Sequence, residues 1–77
     1  EGLIGALGAD DPGVRYLAAE TLGRISAPEA VTPLSALLND DAPPNPDSPR
    51  RVFDAAADAL TAIDTDEALA ALEKWQG

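Results

Sequence analysis

Carboxylates are the reactive groups this chain has in quantity: 14 Asp and Glu stand against five Lys and Arg, with one tyrosine and neither histidine nor cysteine in 77 residues. Without His or Cys, the Ser-His-Asp and Cys-His nucleophile constellations and the imidazole and thiolate metal sites cannot be built. Carboxylate acid–base work or the holding of a hard cation is what remains. Asp40, Asp41 and Asp47, set around a proline-rich stretch, raise the question of calcium. They do not follow the EF-hand pattern, because the glycine at its sixth position and its closing glutamate are both missing. They read as a solvated acidic turn. We therefore expect no catalytic residue, no metal ligand and no cofactor site, and a chain that is not an enzyme.

The net charge of −9 makes phosphate backbones and anionic lipid poor partners, so neither nucleic acid nor a membrane surface is expected. No apolar run approaches the roughly 20 residues needed to span a bilayer, and no basic leader with a hydrophobic stretch opens the chain. The default expectation is a soluble, cytoplasmic protein. One domain of this length buries only roughly 60 to 65% of its unfolded surface, and no disulfide is there to compensate.

The elements that must position these groups are written twice. Sliding the chain by 38 residues lays Val14 on Val52, Ala18 on Ala56, Ala19 on Ala57, Leu22 on Leu60 and Ile25 on Ile63. The match continues through Glu29 on Glu67, Ala30 on Ala68, Val31 on Leu69, Leu34 on Leu72 and Leu37 on Trp75. A partial copy precedes them, with Leu3, Ala6, Leu7 and Asp10 lying 31 positions before Leu34, Leu37, Leu38 and Asp41. The units are a partial leading repeat (1–9), a repeat (10–41), a proline-rich inter-repeat loop (42–49) and a second repeat (50–77). Because Glu1 opens inside half a unit, a fragment of a longer chain is expected, with self-association through an uncapped N-terminal end.

Val14, Leu17, Ala18, Leu22 and Ile25 recur at spacings of three and four, which predicts a helix buried along that stripe. Asp11-Pro12 and Ser48-Pro49 are start signals for the first helix of each unit. Ser26 to Glu29 and Asp64 to Glu67 resemble capping boxes opening the second helices, with Val31, Leu34, Leu37 and Leu38, then Leu69, Leu72 and Trp75, as apolar stripes. Pro33 is expected to bend the first of these near its start. Four of the seven prolines fall between Ala42 and Pro49, which forbids helix there. Strand signals are absent. Arg15 and Arg24 are expected to pair with the acidic turns at Asp10, Asp11, Asp40 and Asp41.

The stretch VRYLAAETLGRISAPEAVTPLSALLNDD, with its degenerate copy from Val52 to Trp75, resembles the HEAT-repeat family, in particular the short bacterial and archaeal units of the phycobilisome lyase type. Its carriers are Val14-Arg15, Ala18-Ala19, Leu22-Gly23-Arg24-Ile25, Pro28-Glu29-Ala30-Val31, Pro33-Leu34 and Leu37-Leu38. The resemblance implies an all-α fold, a right-handed α-solenoid of about two and a half repeats and roughly five helices. It implies protein–protein interaction or scaffolding with another protein as partner; a segment of a bilin lyase or chromophore chaperone and a structural spacer in a larger enzyme are the alternatives. The iron-dependent hydroxylase branch needs His-Glu pairs, which this chain lacks. In such a solenoid the second helices line the binding face, here presenting Thr32, Ser35, Ala36, Ala70, Glu73 and Lys74. Phe53 stands where the family commonly has arginine, and is a candidate exposed aromatic anchor.

Overall fold

The computed structural model describes residues 2–76, which hold five helices and no strand. They are α1 (Leu3–Ala6), α2 (Pro12–Arg24), α3 (Val31–Leu37), α4 (Val52–Ile63) and α5 (Asp66–Gln76), with a 3₁₀ turn at Pro28–Ala30 leading into α3. The first helices of the two units pack on one another, as do the second helices, so the chain forms two layers within 33 × 29 × 17 Å. This is an all-α, solenoid-like arrangement. The core between the layers is made of Leu34, Leu60, Val52, Leu22 and a bed of alanines, with no polar side chain buried among the described residues.

Local chemistry explains most of the boundaries. Asp11 caps α2, its Oδ1 accepting the Gly13 N–H at 2.9 Å, and Pro12 occupies the first helical position where no backbone donor is needed. At the other end the chain turns through Ser26, whose φ of 53° places it in the left-handed region. There the Ser26 N–H reaches Gly23 O and the Ala27 N–H reaches Leu22 O, the paired bonds of a Schellman ending. The same left-handed residue recurs 38 positions on, at Asp64 with φ 56°. Thr65 then opens α5, its Oγ1 accepting the Ala68 N–H at 3.1 Å.

Four expectations need correction. Ser26 is spent on ending α2, so the capping box from Ser26 to Glu29 does not form, and Thr65 rather than Asp64 caps α5. Pro33 lies third in α3, within the turn whose N–H groups lack partners anyway, and the distortion appears as the preceding 3₁₀ turn. Ser48-Pro49 does not open α4: the Ser48 hydroxyl accepts from Arg50 N–H, and the helix begins at Val52. Its first N–H groups go instead to the segment that follows α3, Val52 N–H to Ala42 O and Phe53 N–H to Asp40 O, each at 2.9 Å, while the Asp54 carboxylate accepts from Arg51 N–H at 2.8 Å. Finally, Val14, Leu17 and Ile25 are exposed, and α2 buries Ala18, Ala19, Leu22 and Gly23.

The reason is a close helix crossing. A Cβ placed on Gly23 would lie 2.6 Å from Ala59 Cα and 2.8 Å from its Cβ, so α2 and α4 meet backbone to backbone. Small residues mark this contact, and a search for large apolar residues looks to the wrong side of the helix.

Arg15 ties the turns together. Its Nε donates to Asp40 Oδ2 at 2.6 Å, and one terminal nitrogen donates to the carbonyls of Ala9 (2.7 Å) and Asp10 (3.0 Å). Asp40 Oδ1 also accepts the Ala42 N–H at 3.2 Å. Both side chains are about four-fifths buried, at 18% and 19% exposed. Of the acids considered, Asp40 alone supplies a carboxylate to Arg15; Asp10 supplies its backbone oxygen. Asp40→Ala is expected to cost about 2 kcal/mol, since it strands a charged guanidinium and an amide in partly buried positions. A chemical denaturation curve checks it, with the midpoint shifting and the slope unchanged.

Candidate functional site

The face formed by α3 and α5 carries the residues that the repeat pattern assigns to binding. Thr32, Ala36, Ala70, Glu73 and Lys74 are exposed there, and Ser35 is half-buried with its hydroxyl donating to Val31 O at 2.7 Å. Between the two helices runs an open groove of about 210 Å³, lined by Ser35, Leu38, Asn39, Ala71, Lys74 and Trp75. Two of the six expected residues, Ser35 and Lys74, are brought together in it; the other four lie outside its lining. Asn39, Ala71 and Trp75 were missed as site residues. The 38-residue shift holds the signal: Ala71 falls where the first unit has Pro33, and its small side chain leaves room beside Leu38 and Trp75.

The groove is apolar at Leu38, Ala71 and Trp75, with an amide and an ammonium at its edge from Asn39 and Lys74. Lys74 lies in the last turn of α5, where the helix dipole favours a cation, as Asp66 and Glu67 suit its first turn. Trp75 leans on Phe53, with ring centroids 5.6 Å apart and planes tilted by 51°. Phe53, read as an exposed anchor, is therefore half-buried: its ring braces the tryptophan across the α4–α5 hairpin.

Arg50 reaches Asp58 at 2.5 Å and lies 5.9 Å above the Tyr16 ring. The hydrogen bond that Arg50 donates to the Asp58 carboxylate pushes the Arg50 pKa above its ordinary value, partly offset by desolvation. It is charged at every ordinary pH in either case. Arg24 forms no ion pair among the described residues, contrary to the expected pairing with an acidic turn. Asp40 is engaged by Arg15, and no group of three or more acidic side chains converges as a cation site among the described residues. No described helix is long and apolar enough to cross a membrane.

A helix pair repeated at a fixed shift and stacked in two layers is the architecture of an α-helical repeat protein. The family model described as HEAT repeats matches residues 1–46, more than half of the chain, and the chain belongs to the HEAT-repeat family. HEAT repeats generally mediate protein–protein interactions. No curated protein and no solved structure matches the chain.

Proposed function

We propose that this chain is a protein-binding segment without catalytic activity of its own, which docks a segment of a partner protein on the α3–α5 face. The observation that supports this reading is the groove: an apolar floor beside Trp75, with Ser35, Asn39 and Lys74 at hand to orient what enters. A partner would seat an apolar side chain against Ala71 and Trp75, where an aromatic ring already ordered by Phe53 loses little freedom on binding. A bilin-lyase or chromophore-chaperone segment and a structural spacer are the competing readings; no feature of the groove favours either.

The test is quantitative co-purification with wild-type bait and with a bait carrying Asn39→Arg and Lys74→Glu. Both positions are exposed, so folding stability is expected to fall by no more than about 1 kcal/mol, most of it from placing an anion at the C-terminal end of α5. Selective loss of one protein, by about tenfold or more, is the expected result. An unchanged set of partners would move binding away from this face, and a visible-absorbance change on adding a bilin would favour the lyase reading.

A further inference from the structure

The 14 carboxylates and five cations of this chain are as poorly matched in space as they are in number. Among the described residues two carboxylates lie within ion-pair distance of a cation, Asp40 beside Arg15 and Asp58 beside Arg50. The other described carboxylates form no ion pair there, and no charged side chain is buried, so the negative charge is spread over the outside of the molecule. In places like charges are close neighbours. Asp54 and Asp58 stand one turn apart on α4, and Asp64, Asp66 and Glu67 crowd the turn from α4 into α5.

We propose that ionic strength governs the stability of this fold, salt tightening a structure that self-repulsion loosens. The length scales decide the matter. Electrostatic interactions reach about 30 Å at an ionic strength of about 0.01 M and about 10 Å at about 0.1 M. The molecule measures 33 Å along its longest axis, so in dilute buffer each carboxylate acts on nearly every other. Unfolding relieves this repulsion, because the radius of gyration grows from 11.1 Å to roughly 27 Å for a free chain of this length. Low salt therefore favours the expanded state.

Attractive contacts oppose this trend, since salt weakens them too, and their geometry shows why they lose. Asp11 caps α2, while Asp54, Asp66 and Glu67 occupy the first turns of α4 and α5, where the helix dipole favours an anion. That attraction acts within a single turn, and an ion pair acts across about 3 Å, so both outlast a screening length of about 10 Å. The Arg15–Asp40 pair, four-fifths buried, is screened less again. Arg50 and Asp58 are 47% and 70% exposed, a pair that contributes little at any ionic strength. Dilute salt thus removes the long-range repulsion first and leaves the short-range attractions largely in place.

Circular-dichroism melts at neutral pH in sodium chloride from about 10 mM to about 0.3 M test the proposal. The melting temperature is expected to rise by at least about 5 °C over that range, most steeply below about 0.1 M. A variant combining Asp47→Asn, Asp64→Asn and Glu73→Gln lowers the net charge from −9 to −6 at three exposed side chains that make no hydrogen bond or ion pair among the described residues. Repulsion scales with the square of the charge, so the rise with salt is expected to shrink to about half, with the variant melting above wild type at the low-salt end. Calcium chloride at matched ionic strength should give about the same rise as sodium chloride. A melting temperature that is flat or falls with sodium chloride, a triple variant with the wild-type salt response, or a full rise at sub-millimolar calcium, the mark of a bound cation, would each overturn the proposal.

Discussion

Leu60→Ala is expected to cost about 3 to 4 kcal/mol, the largest loss from any single truncation in this chain. Leu60 is fully buried, in α4, the helix that packs against α2, α3 and α5 alike. Removing three carbons there forfeits transfer free energy and leaves a cavity in a core rich in alanine, whose short side chains have little reach to fill it. A domain of 77 residues has roughly 4 to 12 kcal/mol in total, so the variant would retain roughly 0 to 9 kcal/mol and would be half unfolded at the bottom of that range. Urea titration followed by far-ultraviolet circular dichroism measures the shift. A loss under about 1 kcal/mol would mean that α4 is not the centre of the core.

The second large effect comes from adding one methyl group. By helix propensity alone, Gly23→Ala should stabilise α2 by about 1 kcal/mol. The geometry reverses the sign, because the new Cβ would lie 2.6 Å from the Cα of Ala59, and backbone cannot step aside as a side chain can. We expect a net loss of about 2 kcal/mol, a fall in melting temperature of roughly 10 °C for a domain this size. Gly5→Ala supplies the control, since a Cβ at Gly5 meets nothing within 4 Å. That variant is expected to melt at the wild-type temperature or slightly above it. Two glycine-to-alanine changes moving in opposite directions separate the crossing from propensity.

The contrast shows where the sequence was legible. A repeat shift of 38, the helix layout and the proline loop follow from residue types and spacing, because each is a property of one segment or of its copy. Burial on α2 does not. Val14, Leu17 and Ile25 look like a core stripe by periodicity, yet whether a helix face is covered depends on its neighbour, and the covered side here is marked by Ala19 and Gly23. The left-handed turns at Ser26 and Asp64 escaped notice because neither is glycine. Arg15 was correctly read as a partner of the acidic turns, with Asp40 the residue that closes the contact. On the candidate binding face, exposure of Thr32, Ala36, Ala70, Glu73 and Lys74 follows from helical phase. The groove beside them does not, since it arises from the small Ala71 between two helices and from the bracing of Trp75 by Phe53.

The graded packing of the helices also orders how the molecule comes apart. The α4 helix is held from three sides, whereas α1 is a single turn resting on α2, and α5 leaves Leu69 and Trp75 partly in water at the opposite edge. Amide protons should therefore exchange with solvent in a sequence set by depth in the stack, those of α1 through small fluctuations and those of α4 only through global opening. The groove lies between the last turns of α3 and α5, at the looser edge of this hierarchy. A partner bound there would clamp the part of the chain that opens early, and would slow exchange in α5 before it altered any proton in α4.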